Sequence, residues 1–195
     1  MWDMSTPVRS FLLLVVVLAS VSGAVADSSR GKADVQVYFS PAGGCTEAIV
    51  RELGRAKKSI YVQAYSFTSA PIAAALVEAH KRGVHVEVVL DKGQRTEKYS
   101  SADFVSRAGI PTFIDAKHAI AHNKVMVIDE AVVITGSFNF TKAAEEKNAE
   151  NLLVIRDTEL AAKYLANWKA HFEHAEPYQS LRSMDQIPKP KRPGD

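Results

Sequence analysis

The sequence of 195 residues contains a single cysteine, Cys45, and carries little net charge. One cysteine excludes an intramolecular disulfide, so a packed core has to stabilise the fold. The formal net charge of +2 excludes the strongly basic class of nucleic-acid binders that charge alone identifies. We therefore interpret Cys45 as a small buried apolar residue, and we expect any attraction for phosphate to come from locally placed cationic side chains.

The sequence also lacks an apolar run long enough for a membrane-spanning helix, which needs roughly 20 residues. A shorter run over residues 11–21 follows Arg9 and precedes Ala24-Val25-Ala26. This three-part pattern is typical of a secretory signal peptide. We predict a signal peptide over residues 1–26, cleaved after Ala26, and a secreted or periplasmic protein without a stable membrane anchor. A retained anchor is the alternative.

The remaining chain has the length of one domain, which we predict over residues 27–178. Residues 179–195 are rich in proline and basic residues and are typical of a disordered tail.

Apolar patterning predicts an alternation of strands and helices, followed by a hairpin. Continuous apolar strands are typical of sheets that are covered on both faces. We therefore predict an α/β fold with a mixed, mostly parallel β-sheet flanked by helices on both faces. The predicted strands are 35–39, 60–67, 84–90, 112–114, 123–128, 132–135 and 150–155, and the predicted helices are 49–56, 71–81, 102–108 and 160–172.

His122 and Lys124 are the first residues that indicate chemistry. Side chains two apart on a strand share a face, so both project to the same side. An imidazole can attack phosphorus or shuttle a proton near neutral pH, and an ammonium beside it binds a phosphate oxygen and offsets transition-state charge. Taken singly, His122 is also compatible with a core histidine and Lys124 with a surface lysine.

Further polar residues follow this pair. After Gly136, Ser137 and Asn139 offer a hydroxyl and an amide that can hydrogen-bond a phosphate. Glu150 opens the next predicted strand, and a carboxylate of this kind can fix the tautomer of a histidine. Asp129 lies in the hairpin turn, where we interpret it as support for the site or as a cap on backbone amides, not as a reacting group.

The segment from His122 to Asp129 resembles the HxKx4D signature of the phospholipase D superfamily. The segment from Gly136 to Asn139 is similar to the GSxN element of that family, and Glu150 falls where the small bacterial nuclease branch has its histidine-orienting glutamate. The order of predicted elements also resembles that single-motif, EDTA-resistant endonuclease branch.

The resemblance implies a two-step displacement in which one histidine forms a phosphohistidine and a second protonates the leaving oxygen. Because the chain holds one motif, it further implies a homodimer with a composite active site. The implied function is an exported, metal-independent phosphodiesterase, most simply an endonuclease acting on DNA or RNA, with no cofactor. A phospholipase D-type lipid phosphodiesterase and an inactive phosphate-binding module are the alternatives. The implied catalytic residues are His122, Lys124, Asp129 and Glu150, and the implied phosphate-binding residues are Lys124, Ser137 and Asn139.

His118 raises the alternative of a metal site, with His122, Asp115 or Asp91 as its partners. We disfavour this interpretation because a zinc site needs three or four converging ligands, and the spacing does not predict that convergence. No metal is expected at the site.

Two other groups of charged residues have no assigned role. His171 and His174 stand three apart at the end of the last predicted helix, and we expect both to be exposed and without an acid as a partner. Lys92, Arg95 and Lys98 follow a strand end, where they can steer a polyanion or form a solvated charged loop.

Overall fold

The structure is a computed structural model that describes residues 33–179. The predicted signal peptide at residues 1–26, and the predicted tail apart from residue 179, lie outside the described residues. Within residues 33–179, no helix has both the length and the apolar character that crossing a membrane requires.

Strands and helices alternate in the first half of the described chain, and a hairpin opens the second half. The predicted elements are present, with ends that differ by a few residues, whereas the short helix α4 and the short strand β8 are additional. The elements are β1 (Asp34–Ser40), α1 (Cys45–Arg55), β2 (Ser59–Ala64), α2 (Ala70–Lys81), β3 (His85–Asp91), α3 (Ala102–Arg107), β4 (Thr112–Asp115), β5 (Lys124–Ile128), β6 (Val132–Gly136), α4 (Lys142–Glu146), β7 (Glu150–Arg156), α5 (Thr158–Phe172) and β8 (Glu176–Pro177).

Helix α1 begins earlier than its apolar periodicity predicts, and the reason lies elsewhere in the chain. The carboxylate of Glu145 accepts hydrogen bonds from the backbone amides of Gly44, at 3.1 Å, and Thr46, at 2.7 Å. Those amides lie at the helix N-terminus, where intrahelical partners are missing and negative charge is favourable. A side chain distant in sequence thus caps the first turn. Cys45 is fully buried there, as its interpretation as a small apolar residue requires.

The eight strands form one mixed sheet in the order β1-β7-β6-β5-β2-β3-β4-β8. The predicted mixed sheet is confirmed, but the prediction that it is mostly parallel is wrong. Only the pairs β2–β3 and β3–β4 are parallel, and the other five pairs are antiparallel. The reason is that only β2, β3 and β4 are both joined by helices and neighbours in the sheet. Helix α1 also joins β1 to β2, but β1 lies at the far edge beside β7, and β5, β6 and β7 pair antiparallel in chain order.

Helices cover both faces of the sheet, as predicted. On one face, Leu53 of α1 and Leu76 of α2 belong to the same buried cluster as Val62 of β2. On the other face, Leu165 and Trp168 of α5 belong to a second buried cluster, which includes Val89, Val125, Val127 and Val133 from the sheet. The two apolar layers fix the sheet in position and leave its strand ends accessible to polar groups.

One edge of the sheet gathers several strand ends. The register pairs Ala64 with both Leu90 and Lys124, and Asp91 with Asp115. Strands β2, β3 and β4 therefore end where β5 begins. We call this the Lys124 edge. The turn residues that follow these strands and the first residue of β5 can converge there.

Candidate active site

His122 and Lys124 lie side by side at the Lys124 edge. Lys124 is only 7% exposed, and its Nζ donates a hydrogen bond to the backbone carbonyl of His122 at 2.7 Å. The Nζ atom also lies 5.0 Å from the ring centroid of Tyr65, and this ring is 4.5 Å from that of His122. His122 itself is exposed. The structure therefore combines a buried ammonium with an open imidazole, and His122 lies two residues before β5 begins.

The surroundings of Lys124 alter its acidity. Burial lowers the pKa of its ammonium below the ordinary value for lysine, because the charged form loses solvation. The negative charge of Glu150 opposes this effect and raises the pKa in part. An anion bound beside Lys124 would act in the same direction as Glu150, so the site favours a ligand that carries negative charge.

The turn after β6 brings an amide to the same edge. A side chain at position 136 would place its Cβ 2.3 Å from the carbonyl oxygen of Asn151, so only glycine fits there. The backbone amides of Ser137 and Phe138 donate to that carbonyl at 3.1 and 3.2 Å. The turn leaves the buried Oδ1 of Asn139 without a hydrogen-bond partner within residues 33–179. Buried polar groups are almost always paired, so this oxygen is an exception. A bound ligand can supply the hydrogen-bond donor that Asn139 Oδ1 lacks.

Ser137 is exposed at this turn, and part of its hydrogen-bonding capacity is used within the chain. Its Oγ accepts hydrogen bonds from the backbone amide and the side-chain amide of Asn151, at 3.1 and 3.3 Å. The hydroxyl proton is left to donate, as phosphate binding would require.

An open cavity of about 380 Å³ lies between Tyr65 and Asn139, within the usual size range of small-ligand sites. Tyr99 projects at its rim and is 71% exposed. The cavity is lined by Tyr65, Ser66, Thr68, Glu97, Tyr99, Asn139, Thr141, Lys142 and Ala143.

Glu150 stands at the start of β7, partly exposed, and accepts a hydrogen bond from the side chain of Asn148 at 3.1 Å. Its charge reaches Lys124. No hydrogen bond joins it to His122 in the part of the chain that the structure describes, so a role in orienting the histidine stays a prediction.

Asp129 is not brought to the other predicted site residues. It lies at the opposite end of β5, about 16 Å from Lys124 at roughly 3.3 Å per residue. Its carboxylate accepts hydrogen bonds from the backbone amides of Lys57, Lys58 and Ser59, at 3.0, 2.7 and 3.0 Å. Burial by itself raises its pKa, but these bonds outweigh it and lower the pKa below the usual range. Asp129 thus caps the turn that leads into β2. This is the second of the two roles that the sequence indicated for it, a cap on backbone amides.

Comparison with known proteins decides the family. Residues 49–172 match the family described as "Cardiolipin synthase, PLD-like domain", which is more than half of the chain. The chain belongs to the phospholipase D superfamily. The chain is therefore an enzyme of the phosphodiesterase class, as the HxKx4D segment predicts.

Individual relatives support the same assignment. A protein named phospholipase D from Rickettsia conorii is 46% identical over 144 residues, which cover 74% of this chain and 71% of that protein. A mitochondrial cardiolipin hydrolase of Mus musculus is 31% identical over 129 residues, which cover 66% of this chain and 58% of that protein. The crystal structure of Nuc, a phospholipase D family member from Salmonella typhimurium, superposes with a TM-score of 0.73 and 41% identity, covering 76% of this chain and 100% of Nuc.

One residue beside the pair His122 and Lys124 has no signal in the sequence. Tyr65 contacts both His122 and Lys124 through its ring, and its backbone amide donates to the carbonyl of Asn123 at 2.8 Å. It lies inside the predicted strand 60–67, where an aromatic residue is ordinary, and only the register between β2 and β5 brings it to the motif.

Two of the three basic residues after β3 already bind other segments of the chain. Lys92 donates to the carbonyl of His118 at 3.1 Å, and Arg95 pairs with Glu176. Lys98 lies with its Nζ 5.3 Å from the ring centroid of Tyr99, at the rim of the cavity. Of the three, Lys98 is best placed to meet a polyanion, and the steering role stays a prediction.

The expectation that His171 and His174 are exposed and remote from an acid is wrong. His171 Nδ1 lies 2.7 Å from Asp115 Oδ2, and His174 Nε2 lies 3.3 Å from Asp115 Oδ1. His118 joins them, with its Nδ1 2.8 Å from Asp115 Oδ2. Sequence spacing gave no hint of this cluster, because the sheet brings the end of β4 to the end of α5. Of the partners considered for His118, Asp115 is present and His122 is not.

Cys45 is unsuited to nucleophilic chemistry. Burial raises the pKa of its thiol to about 11, and the charges of Glu145 and Glu150 act in the same direction. A thiol that stays protonated is a poor nucleophile.

Proposed function

We propose that this phosphodiesterase is an exported endonuclease that hydrolyses DNA or RNA without a metal cofactor, at a site shared by the two chains of a homodimer. The observation that carries the proposal is the pair at the start of β5. The His122 ring is exposed and makes no hydrogen bond within residues 33–179, while the Lys124 ammonium is held beside it. A free imidazole next to a fixed cation is suited to attack on a phosphodiester.

The proposed reaction has two steps. An imidazole nitrogen of one His122 attacks phosphorus and forms a phosphohistidine, while the partner's His122 protonates the leaving oxygen. The partner's His122 then takes a proton from water, which attacks phosphorus and releases the histidine. The Lys124 ammonium groups hold the non-bridging oxygens and take the place that a metal ion has in other nucleases.

Nucleic acid is favoured as the substrate by the rim of the cavity. Tyr99 exposes most of its ring beside the site, with Lys98 next to it. An exposed aromatic ring with an adjacent cation is the arrangement on which bases of a single strand stack. The likeness to Nuc over its whole length is consistent with this choice. A lipid substrate is the second candidate, because relatives in Rickettsia are named phospholipase D.

The substrate class is tested by incubating the purified chain, in EDTA, with plasmid DNA, single-stranded oligonucleotides, RNA and phosphatidylcholine vesicles. We expect cleavage of nucleic acid by the wild type and by His85→Asn, an exposed histidine outside the site, and none by His122→Asn. Hydrolysis of vesicles alone would transfer the assignment to the lipid phosphodiesterase. Loss of turnover in EDTA, in a chain whose melting temperature EDTA leaves unchanged, would contradict metal-free chemistry.

The proposed base contact has its own test. Since stacking of one base contributes about 1–3 kcal/mol, Tyr99→Ala should raise KM for oligonucleotides roughly 5- to 150-fold and leave kcat little changed. Phe104→Ala, which also removes an exposed aromatic ring, is the matched control. An equal effect of both variants would argue against stacking on Tyr99.

Export is proposed from the signal-like residues 1–26. Mass spectrometry of protein recovered from the periplasm or the medium should find Asp27 at the N-terminus. Secreted protein that retains Met1 would contradict cleavage after Ala26.

A further inference from the structure

A second cluster of ligand-type side chains lies on the Lys124 edge, away from His122. Asp115 ends β4 and is fully buried, and His118 follows it in the loop. His171 lies in the last turn of α5, and His174 follows the helix. The candidate ligand atoms of these four side chains all lie within 4.8 Å of one another.

The phosphodiesterase reaction does not use this cluster. Asp115 is separated from β5 by β3 and β2, which is three strand spacings, or about 14 Å. A group bound at Asp115 therefore does not contact a phosphate that is held between His122 and Lys124.

We propose that Asp115, His118, His171 and His174 bind one divalent transition-metal ion, with Zn²⁺ as the ion that suits them best. Three imidazole nitrogens and one carboxylate oxygen are ligands that zinc takes, and four converging donors give the closed set typical of a structural site. Zinc bonds of about 2.0–2.1 Å place tetrahedral donors about 3.3 Å apart. Asp115 Oδ2 lies 2.8 and 2.7 Å from the Nδ1 atoms of His118 and His171, and Asp115 Oδ1 lies 3.3 Å from His174 Nε2. The candidate ligand atoms span at most 4.8 Å, so side-chain rotations would bring them to the tetrahedral spacing.

Hydrogen bonding alone leaves the cluster incomplete. Asp115 Oδ2 is shared between His118 and His171. His174 Nε2 is buried, and although it lies 3.3 Å from Asp115 Oδ1, it makes no well-formed hydrogen bond within residues 33–179. The three rings also crowd together, with centroids 4.7, 5.2 and 5.7 Å apart. A metal ion supplies the missing partner of His174 and binds the rings in their neutral form, which removes the repulsion that protonated rings would have.

The ion would connect two parts of the chain that are distant in sequence. It would join the end of α5, just before strand β8, to the loop that leads from β4 to His122. That loop is held at two further points, where Ala121 donates to Asp91 at 2.8 Å and Lys92 donates to the carbonyl of His118 at 3.1 Å. The metal would thus stabilise the support of the active site without taking part in its chemistry.

The test measures metal binding and does not depend on activity. The full chain is stripped with a strong chelator, dialysed and titrated with ZnCl₂ by calorimetry, with bound metal counted by mass spectrometry. We expect one zinc per chain and a higher melting temperature with zinc than without it. Replacement by Co²⁺ should give the visible absorption of a tetrahedral site. A stripped chain that binds no stoichiometric zinc, and whose melting temperature zinc leaves unchanged, would overturn the proposal.

His118 offers the most informative variants, because its side chain is 44% exposed and tolerates substitution best. His118→Gln should lose stoichiometric zinc, His118→Cys should retain it through a thiolate ligand, and His85→Ala should bind as the wild type does. If His118→Gln binds zinc as tightly as the wild type, the ligand set is wrong. Failure of the zinc site would leave the proposed nuclease standing, and failure of the nuclease assay would leave zinc binding unaffected.

Discussion

The two ends of strand β5 carry residues of one sequence motif but have opposite characters. At the start, His122 exposes a ring that makes no hydrogen bond within residues 33–179, and Lys124 holds a buried charge. At the end, Asp129 is bound by three backbone amides. The same motif thus contains His122, whose ring has no hydrogen-bond partner within residues 33–179, and Asp129, whose carboxylate is already bound by backbone amides. We therefore expect the chemistry at the end of β5 whose groups lack partners, and not at every residue of the motif.

The largest effect is expected at the open end, for a dimer in which only one chain carries His122→Asn. If one His122 is nucleophile and the other general acid, this mixed dimer loses one of two essential roles. Loss of the general acid should slow turnover by about 10² to 10⁴, and loss of the nucleophile by more. Co-expression of differently tagged chains allows the mixed dimer to be isolated and its phosphodiester turnover measured.

The mixed dimer of wild type with His85→Asn is the matched control and should be fully active. A mixed His122 dimer that keeps about half of the wild-type rate would show two independent sites. So would an active monomer by sedimentation. Either result would remove the composite site and leave the phosphodiesterase assignment intact.

Lys124→Met comes next, because it removes the cation and keeps an unbranched side chain. The loss of transition-state stabilisation should lower kcat/KM by about 10² to 10³. The melting temperature should stay the same or rise, since a buried charge is removed. The exposed Lys163→Met is the control. A variant that is both inactive and strongly destabilised would mean that Lys124 supports the fold, as Asp129 does.

The same lysine predicts the alkaline limit of activity. The pKa of Lys124 is lowered by burial and raised in part by Glu150. The required cation is therefore lost as pH rises through this lowered pKa. In Glu150→Gln the opposing charge is absent, so the alkaline limb of kcat/KM should move to lower pH. A limb that moves to higher pH, or not at all, would contradict the influence of Glu150 on Lys124.

At the closed end, Asp129→Asn should reduce stability and spare turnover. Asparagine tolerates the positive φ of 52° at this position but loses the charge that three amides bind, at a cost of about 1–2 kcal/mol. The folded pKa of Asp129 is lowered, so its contribution to stability is present above the unfolded value of about 3.9 and is lost as pH falls through the folded pKa. The difference from wild type in urea unfolding should therefore shrink below about pH 4.

Glu130→Gln is the matched control for Asp129→Asn, because Glu130 has a similar φ of 55° in the same turn and is exposed. It should change the free energy of unfolding little. A fall in kcat/KM of more than about tenfold for Asp129→Asn, without loss of stability, would return Asp129 to the catalytic residues.

What the sequence predicted was local, and what it missed depends on strand order. His122, Lys124, Ser137 and Asn139 lie within one hairpin and the turn that follows, so spacing alone brings them to one edge. Tyr65 and the cluster around Asp115 come from segments that meet only in the folded sheet. The proportion of parallel strands was missed for the same reason, since β1 pairs with β7 through residues as far apart as Asp34 and Arg156. Helix α4 is too short for apolar periodicity to reveal it.

The smallest effect is expected for Asn139→Ala. This variant separates the two ends of β5 most sharply, because we expect Asn139 to bind the ligand while it destabilises the fold. The buried Oδ1 of Asn139 has no partner within residues 33–179, and an unpaired buried polar group costs about 1–3 kcal/mol. Asn139→Ala should therefore leave the free energy of unfolding unchanged or raise it by up to about 1 kcal/mol, although it removes atoms from the structure. Its kcat/KM should fall about tenfold or more, since one hydrogen bond to the phosphate or to the partner's site is lost. Asp129→Asn is the mirror case, with stability lowered and turnover kept. Urea unfolding and phosphodiester turnover measured on both variants give the comparison, and an Asn139→Ala protein that is less stable and fully active would show that Asn139 serves the fold after all.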